Sequence, residues 1–378
     1  MSEDRNPQVP TEKGRSQNPW DAGEPALTPR GTPPSAPVGA RRGDEIHAFP
    51  ETAVGEGDVR TADEGPRAVV SGTSLWKDAW RRLLRNRLAV FGLFVVALII
   101  VAVAVGPPII KAATGYQYDT IPADSKLVQS FPPFQMPDAT KPGELSFSAT
   151  HPMGTDSAGR DMLARVLQGG RISLMVGVIS TFVSLLIGIT WGATAGYLGG
   201  KADDVMMRIV DVLYAIPYMM IVIVLLAFFG GRSPLQQIFL LFAAIGAVSW
   251  LTMARIVRGQ VISLKNQEFV LAARATGVST PKIIFRHLVP NALGPVIVYA
   301  TLTIPSVMLQ EAFLSFLGLG VQAPYASWGS LAQEGIQNIA VFPWQLVFPG
   351  VTMALTLFSL NFLGDGLRDA LDPQMRKF

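Results

Sequence analysis

The aliphatic and aromatic residues of this chain gather in six long stretches, which polar, charged or proline-rich segments separate. Each stretch is close to the ~20 residues that an α-helix needs to cross a bilayer. These stretches, which we take as predicted membrane spans, are residues 88–105, 172–195, 209–229, 238–254, 293–317 and 346–363. The pattern therefore predicts an all-α membrane protein with six transmembrane helices.

The segment before the first span has a different composition. Residues 1–73 are rich in proline, glycine and charged residues and contain no apolar run. Such a segment cannot bury enough apolar surface to fold, and nothing in it has the length of a signal-peptide core. We therefore expect a disordered cytoplasmic tail at residues 1–73. A solvated extension is the favoured interpretation, and a regulatory or partner-binding segment is the alternative.

Residues 74–87 have the pattern of an amphipathic helix that lies in the membrane interface. Ser74 is a suitable N-cap, and bulky apolar side chains recur on one helical face while basic side chains flank it. The apolar positions are Trp76, Trp80, Leu83 and Leu84, and the basic ones are Lys77, Arg81, Arg82 and Arg85. Residues 88–378 then form the predicted transmembrane domain.

Lysine and arginine are distributed unevenly among the loops. They concentrate in residues 74–87, 196–208 and 255–292 and after the last span, whereas the two short intervening loops contain only Arg232. Because cytoplasmic loops carry such an excess, these basic segments and both termini are predicted to lie inside. The remaining loop, residues 106–171, then faces outward, and its many prolines predict an irregular, partly extended segment.

Residues 255–292, which we call the central loop, form a long charged segment in the most hydrophobic half of the chain. The spacing of its first half predicts a helix, and most of one face is small enough for another backbone to approach. That face consists of Phe269, Ala272, Ala273 and Thr276. The charges of the loop require it to lie in water, where it can meet a soluble partner.

The second half of the central loop predicts a turn and a second short helix. Gly277 stands where a helix commonly ends in a left-handed residue, Thr280 can serve as an N-cap, and Pro281 suits a first helical turn. Pro290 is then expected to mark the end of this helix. Such a helix–turn–helix either docks a soluble partner or packs on its own protein, and its spacing does not decide between the two.

The order Leu271-Ala272-Ala273, Gly277 and Pro290 resembles the EAA loop of ABC importer permeases. In that family the helix–turn–helix docks into a cleft on the ATPase subunit. The resemblance therefore implies that these five residues couple the chain to an ATPase. The family usually has glutamate at the position of Leu271.

The end of the outward loop, residues 151–174, predicts an interfacial helix that leads into the second span. Thr155 or Asp156 is expected to cap this helix. Its apolar positions are expected to face the membrane surface and its basic positions the water. The apolar positions are Met162, Leu163, Val166 and Leu167, and the basic ones are Arg160 and Arg165.

The same stretch resembles a signature of the dipeptide and oligopeptide branch of ABC permeases, specifically its C subunit. We call residues 151–161 the signature loop. The matching residues that we take as candidate site residues are His151, Gly154, Thr155, Asp156, Gly159, Arg160 and Asp161. Residues 313–329 and 363–373 resemble two further motifs of that branch. Together with the central loop, the resemblance covers residues 74–378.

Ionisable residues and prolines inside predicted spans are candidates for the path through the membrane. They are Asp211, Pro217, Pro305 and Glu311. Asp211 is expected to pair with Arg208 on the same helix. Glu311 is expected near the outer mouth, either facing a water-filled path or reaching the interface. The prolines kink helices, as a pore requires, but such kinks are also common in membrane proteins generally.

Several classes of protein are excluded because their residues are missing. The chain has no cysteine and its three histidines are scattered, so we expect no bound metal or cofactor. The one Gly-Lys pair, Gly200-Lys201, precedes Ala202 and not the serine or threonine of a phosphate-binding loop. Protease motifs are also missing from the sequence. We therefore expect a transport subunit and no enzyme, and the basic excess of the inner loops does not indicate nucleic-acid binding.

The resemblance implies a type I ABC importer permease in a bacterial inner membrane, forming half of the translocation path for di- or oligopeptides. It also implies a second homologous permease subunit, two ABC ATPase subunits or domains that use ATP and Mg²⁺, and an extracytoplasmic substrate-binding protein. Nickel, glutathione or another small solute is the alternative cargo. A membrane scaffold that binds a soluble partner through its basic loop is the alternative of a different class.

Overall fold

The apolar stretches fold into long helices, which satisfy most of their backbone hydrogen bonds within the segment, as lipid requires. The computed structural model describes residues 75–123, 129–137, 144–230 and 233–371, so the tail predicted at residues 1–73 and the N-cap predicted at Ser74 lie outside the described residues. The helices are α1 Leu75–Leu83, α2 Arg87–Thr114, α3 Met162–Leu198, α4 Gly200–Ala215, α5 Tyr218–Phe229, α6 Pro234–Leu264, α7 Glu268–Ala275, α8 Thr280–Lys282, α9 Val289–Phe316, α10 Trp328–Ile336 and α11 Trp344–Leu371. A π-helix, Ile283–Leu288, joins α8 to α9, and the strands β1 Gln135–Pro137 and β2 Leu145–Phe147 pair antiparallel.

Five of the described helices are long and apolar enough to cross a membrane, and they coincide with five of the six predicted spans. These five are α2, α3, α6, the continuous run Thr280–Phe316 and α11. The remaining predicted span, residues 209–229, falls on two helices, because α4 and α5 meet at an 84° bend. The number of crossings among the described helices is six if this bent pair counts as one span.

Pro217 causes the bend between α4 and α5. Proline has no backbone N–H to continue the hydrogen-bond ladder of α4, and it disfavours the helical conformation in the residue before it. Ile216 is accordingly extended, with φ −81° and ψ 131°, and Pro217 is the N-cap of α5. Pro217 therefore breaks the predicted span into two helices instead of kinking a single one.

Glycine lines the contact between α3 and α6. A Cβ atom added at Gly188 would lie 2.6 Å from Met253 Cβ, and one at Gly192 would lie 2.3 Å from the carbonyl oxygen of Ala254. Both distances are shorter than van der Waals contact, so the two helices can approach this closely only without side chains at these positions. Helices α2, α9 and α11 complete the bundle around this pair.

Contacts between helices show which helix ends lie together at each end of the bundle. Gly196 of α3 packs against Val261 of α6, and Gly366 of α11 packs against Ala89 of α2. A pocket between α6, α9 and α11 joins these contacts at the same end of the bundle. This end, which we call the basic end, carries the described segments in which lysine and arginine concentrate. Residues 317–343 and the signature loop lie at the other end, which we call the opposite end.

The segment between the first two spans is shorter than predicted. Residues 106–171 are predicted to form a loop, but α2 continues through Pro107 and Pro108, and α3 already begins at residue 162. Pro108 has no N–H for the carbonyl oxygen of Ala104, and Arg171 Nη2 donates to this oxygen instead, at 3.1 Å. The hydrogen bond lost to proline is thus replaced from α3, which allows α2 to continue.

The helix predicted at residues 74–87 is also shorter than expected. Helix α1 stops at Leu83, and the side chain of Asn86 then caps α2 by accepting from two backbone N–H groups at 3.1 and 3.3 Å. Leu83 is 4% exposed and clusters with Ala370 of α11, so it packs in the protein and not in lipid. Trp80 is 53% exposed, and the interfacial position of α1 stays a prediction.

Candidate functional site

The first helix of the central loop, α7, ends in the left-handed residue that its sequence predicts. Gly277 has φ +75°, and Val278 N donates to Ala273 O at 3.0 Å. Both features belong to the common glycine motif at helix C-termini. The predicted turn at Gly277 is confirmed. The next helix has Ser279 as its N-cap and Thr280 as its first residue, one position earlier than we predicted for its start.

The face that the sequence predicts for α7 is divided between two surfaces. Ala273 is 7% exposed and packs, with Val270, against the start of the second helix. Ala272 lies on the surface with Phe269 and Leu271, which are 39% and 48% exposed. The two small residues thus serve different contacts, because Ala273 permits packing inside the loop and Ala272 leaves room outside it.

The second helix of the central loop does not end at Pro290, contrary to the prediction. Residues 283–288 form a π-helix in which Val289 N donates to Ile284 O, and α9 follows without a break. The wider π turn removes the need for an N–H at Pro290 and leaves room for its ring. The run Thr280–Phe316 therefore connects the loop directly to the fifth predicted span.

Two basic residues of the central loop contact the C-terminal end of α3. Lys265 Nζ donates to Gly196 O at 3.1 Å. Arg274 Nε donates to the Tyr197 hydroxyl at 3.2 Å, and the guanidinium lies 4.9 Å from the centroid of the Tyr197 ring. These contacts position the loop against the bundle while its apolar surface stays exposed.

At the opposite end, Asp156 organises the signature loop. Its Oδ1 accepts from Ala158 N at 2.8 Å and Arg160 N at 2.9 Å, and its Oδ2 accepts from Arg160 Nε and Arg165 Nη1, both at 2.7 Å. Asp156 is 3% exposed, and four donors to one buried carboxylate hold the loop in one conformation. Asp156 and Thr155 are therefore loop residues, and the helix cap that we predicted at one of them is wrong.

Asp161 is the residue that caps α3. Its Oδ1 accepts from Ala164 N at 2.6 Å, and its Oδ2 lies 2.7 Å from Nδ1 of the buried His151. The first turns of α3 are also buried, since Met162 and Val166 are each 1% exposed. The prediction that these positions face the membrane surface is therefore wrong. The helix packs into the protein from its first residue because the loop before it is itself folded.

Arg165, which is predicted to face water, is buried between two carboxylates. Its side chain is 2% exposed, and besides Asp156 it binds Glu334 of α10 through Nη1–Oε2 at 2.6 Å and Nη2–Oε1 at 3.0 Å. A buried guanidinium requires such pairing, because its desolvation is costly. Glu334 is a residue of the site that the sequence prediction missed. It stands 169 positions from Arg165, and no local pattern connects the two.

Two glycines shape the signature loop. Gly154 and Gly159 have φ +75° and +78°, which favour glycine. A Cβ atom at Gly154 would also lie 2.4 Å from Phe131 O. Gly159 N donates to Asp156 O at 3.0 Å and closes a turn. The candidate residues of this loop therefore lie together in one folded segment.

Thr155 joins the signature loop to two other segments. Phe131 N donates to Thr155 Oγ1 at 2.8 Å, and Thr155 N donates to Phe131 O at 3.0 Å. Gln345 Nε2 and Trp344 Nε1 of α11 donate to Thr155 O at 3.2 and 3.3 Å. With the contact from Arg165 to α10, these hydrogen bonds fix the loop to two helices at the opposite end.

Asp211 pairs with Arg255 of α6 and not with Arg208 as predicted. Arg255 Nη2 lies 2.8 Å from Asp211 Oδ1, and the guanidinium lies 4.3 Å from the centroid of the Tyr214 ring. Both side chains are partly exposed, at 39% for Arg255 and 53% for Asp211. The prediction considered neighbours on one helix, whereas the packing of α4 beside α6 supplies a better-placed cation.

Glu311 lies in the opposite-end half of α9, but neither environment that we predicted for it is right. Its side chain is 0% exposed, and its carboxyl contacts Ser315 Oγ at 2.6 Å and Ser173 Oγ at 3.2 Å. Ser173 Oγ also accepts from Trp328 N at 3.2 Å. Glu311 therefore links α9 to α3 and to the start of α10, inside the protein.

A cavity of about 650 Å³ lies at the bend between α4 and α5, where α6 and α9 pass. Pro217 is part of its wall, and the Tyr218 hydroxyl donates to Gln310 Oε1 across it. Pro305, the second candidate for a kink, is buried within α9, which continues past it. The break at Pro217 thus produces a cavity halfway along α6, at the level of Val248 and Leu251.

These long apolar helices define a multi-pass membrane protein. Residues 188–377 match the family of binding-protein-dependent transport system inner membrane components, and residues 74–133 match the N-terminal transmembrane domain of oligopeptide transport permease C. The chain belongs to the family of binding-protein-dependent transport system inner membrane components, which are permease subunits of ABC transporters.

The oligopeptide transport system permease protein OppC of Escherichia coli is 50% identical over 307 residues, which cover 81% of this chain and 94% of that protein. OppC of Haemophilus influenzae is 46% identical, with 84% and 94% covered. The dipeptide transport system permease protein DppC of Bacillus subtilis is 42% identical, with 84% and 91% covered. Among solved structures, the inward-facing MetNI methionine ABC transporter matches with 20% identity and a TM-score of 0.45, covering 56% of this chain and 98% of that one.

Proposed function

We propose that this chain is a permease subunit of an ATP-driven importer and forms half of the translocation path for di- or oligopeptides. Oligopeptide and dipeptide permeases resemble it over most of its length. The observation that carries the proposal is the helical run Thr280–Phe316, which joins the exposed central loop to the wall of the cavity. One continuous helix can pass a movement of the loop on to the cavity.

The central loop is the docking element for an ABC ATPase subunit, which uses ATP and Mg²⁺. Phe269, Leu271 and Phe285 are 39%, 48% and 49% exposed on this loop, beside the exposed Ala272. Apolar side chains grouped on a loop between spans favour a protein partner over water. Leu271 and Ala272 contact the ATPase in this arrangement, and Ala273 holds α7 against the second helix.

The remaining partners follow from the two ends of the bundle. A second homologous permease subunit completes the path, and two ATPase subunits or domains bind at the basic end. An extracytoplasmic substrate-binding protein delivers the cargo at the opposite end, where the buried contacts of the signature loop support a surface of fixed shape. The excess of lysine and arginine at the basic end favours an orientation in which this end and both termini lie in the cytoplasm of a bacterial cell.

ATP-driven closure of the ATPases moves α7, and the packing of the loop transmits this movement. Val270 and Ala273 lie in one cluster with Ile283 and Ile284 of the π-helix, so a displacement of α7 passes into α9. Segments of π-helix are frequent at functional sites. ATP then biases a two-state arrangement of the spans between inward and outward access.

Single-cysteine variants test the docking and the orientation, because the chain has no native cysteine. In the intact transporter, Ala272→Cys is expected to cross-link to the ATPase subunit. Gln322→Cys, an exposed position at the opposite end, is the matched control and is expected to form no such cross-link. In right-side-out vesicles, a membrane-impermeant maleimide is expected to label Gln322→Cys and to leave Ala272→Cys unlabelled.

The opposite labelling pattern would contradict the orientation, and failure of Ala272→Cys to cross-link would contradict the docking element. Uptake of a labelled tripeptide by the complete transporter in proteoliposomes tests the cargo. Competition by unlabelled peptides is the expected result. Competition by Ni²⁺ or glutathione without competition by peptides would replace the proposed cargo.

A further inference from the structure

The wall of the cavity at the bend between α4 and α5 is unlike a surface made for lipid. Eight of its sixteen lining residues carry a neutral hydrogen-bonding group, and none carries a charge. The eight include Tyr218, Ser249, Thr252, Thr303 and Gln310. Hydrocarbon in contact with these groups would leave their remaining hydrogen-bonding capacity unused, which costs free energy. A polar occupant avoids this cost.

The hydrogen bonds within the wall determine what it can still offer an occupant. The hydroxyls of Ser249, Thr303 and Ser306 donate to backbone carbonyls four residues earlier, at 2.8, 2.8 and 3.3 Å. The oxygen lone pairs of Thr303 and Ser306 therefore remain free to accept N–H groups. Gln310 Oε1 accepts from the Tyr218 hydroxyl, so the amide nitrogen of Gln310 remains free to donate to a carbonyl.

Acceptors for N–H and a donor for C=O are the complement of a peptide main chain, which carries one of each group for every residue. Charged side chains near the cavity are paired with each other. Arg255 lies 2.8 Å from Asp211 and 4.3 Å from the centroid of the Tyr214 ring. The carboxylate of Asp211 therefore offsets the electrostatic effect of Arg255 on the cavity. A neutral wall of this kind accepts acidic and basic side chains alike.

We propose that this cavity is a binding site for the main chain of the transported peptide and does not discriminate by the charge of the peptide side chains. The proposal rests on the proposed function and identifies where the path contacts its cargo. The volume of about 650 Å³ falls within the usual range for small-ligand sites and suits a short peptide segment. A lipid chain and a helix of the second permease subunit are the other occupants that the test must separate.

If peptides bind in this cavity, a charge introduced into its wall is expected to make uptake depend on the charge of the peptide side chains. Gln310→Glu and Gln310→Lys are compared with wild type in the complete transporter, reconstituted in proteoliposomes with its binding protein. The measured quantity is the uptake ratio of a lysine-containing to a glutamate-containing tripeptide. Gln310→Glu is expected to raise this ratio ~10-fold and Gln310→Lys to lower it by a similar factor, because charges interact strongly at low dielectric.

Thr303→Val and Thr190→Val form a matched pair that tests the hydroxyl groups without adding charge. Thr303 lines the cavity, whereas the Thr190 hydroxyl is exposed on α3 and bonded to its own helix. Thr303→Val is expected to raise the KM for peptide several-fold, by the loss of one acceptor, and Thr190→Val to leave it unchanged. Equal effects of the two substitutions would overturn the proposal.

A photoreactive tripeptide gives a readout that does not depend on the folding of any variant. In the wild-type transporter it is expected to label residues 213–218, 248–252 and 299–310. Labels elsewhere, with an unchanged uptake ratio in both Gln310 variants, would overturn the inference while peptide uptake still supports the proposed function. Loss of the second permease subunit from Gln310→Lys, without peptide label at the cavity, would assign the surface to a subunit interface. Absence of uptake by wild type would refute the proposed function itself.

Discussion

The signature loop and the central loop lie at opposite ends of the bundle and differ in how their side chains are satisfied. The charged groups around the signature loop are paired within the chain, with the buried Arg165 of α3 between Asp156 and Glu334. In the central loop, apolar groups are exposed, with Leu271 at 48% and Phe285 at 49%. One loop has its partners within the chain, and the other leaves apolar side chains on the surface of the chain.

This difference predicts how the two ends respond to substitution. Buried ion pairs have a single good geometry, and breaking one leaves a desolvated charge. Exposed apolar residues lose nothing within the chain when they are changed, so their effect appears in association. Substitutions at the opposite end are therefore expected to lower stability, and substitutions on the outer surface of the central loop to lower coupling.

The largest effect is expected from Arg165→Met. The substitution removes the buried cation that Asp156 and Glu334 share, and leaves these carboxylates with the cation of Arg160, at 2.7 and 3.7 Å. Loss of one partner of a buried ion pair costs about 3–5 kcal/mol, and the remaining contact with Arg160 offsets part of this cost. Thermal unfolding of the purified protein in detergent measures this as a marked fall in Tm. Arg165→Lys, which keeps the charge but not the bidentate geometry, is the control, and its Tm is expected to lie between those of wild type and Arg165→Met.

An unchanged Tm in Arg165→Met would contradict the rigid role of the signature loop. Expression of Arg165→Met only as aggregate would agree with that role if Arg165→Lys still folds. The expected result is therefore a Tm that falls from wild type to Arg165→Lys and falls further to Arg165→Met.

The next effect separates two glycines that share the same backbone conformation. Gly154 in the signature loop and Gly277 in the central loop both have φ +75°, where a side chain costs roughly 1–2 kcal/mol. A Cβ atom at Gly154 would also lie 2.4 Å from Phe131 O, whereas nothing lies within 4 Å of one at Gly277. Gly154→Ala is therefore expected to lower Tm clearly more than Gly277→Ala. An equal fall in Tm for the two variants would mean that the signature loop accommodates a Cβ atom as readily as the central loop does.

A smaller effect is expected inside the central loop, between the neighbours Ala273 and Ala272. Ala273 packs against the second helix, so Ala273→Leu overfills that contact and destabilises by about 1–3 kcal/mol. Ala272 is exposed, and Ala272→Leu is expected to change the unfolding free energy by less than about 0.5 kcal/mol. Ala272→Leu is expected to weaken co-purification of the ATPase instead. Loss of Tm in Ala272→Leu, with the ATPase still bound, would contradict this division.

Features that depend on a few neighbouring residues could be predicted from the sequence. The apolar stretches give the spans, and the left-handed turn at Gly277 follows from its place after a helix. A distortion at Pro217 also has a local cause, since proline acts on its own N–H and on the residue before it, although we predicted a kink within one span and the structure has a break. These properties need no knowledge of the folded protein.

Features that depend on distant residues could not be predicted. Glu311 meets Ser173 across 138 positions, and nothing in the sequence indicates that a carboxyl in a span is buried among hydroxyls. Two local predictions about proline also failed for a tertiary reason. Arg171 replaces the hydrogen bond lost at Pro108, and a π turn accommodates Pro290, so both helices continue where the local rule ends them.

The smallest effect is expected from Arg255→Gln, which completes the contrast with Arg165. Arg255 also pairs with a carboxylate at 2.8 Å, but its side chain is 39% exposed and that of Asp211 is 53% exposed. Ion pairs in such surroundings contribute about 0.2–1 kcal/mol, and salt screens them. Arg255→Gln is therefore expected to lower Tm slightly at low ionic strength and by less at high ionic strength. A salt-independent loss as large as that of Arg165→Met would show that distance, and not burial, decides the contribution of an ion pair in this protein.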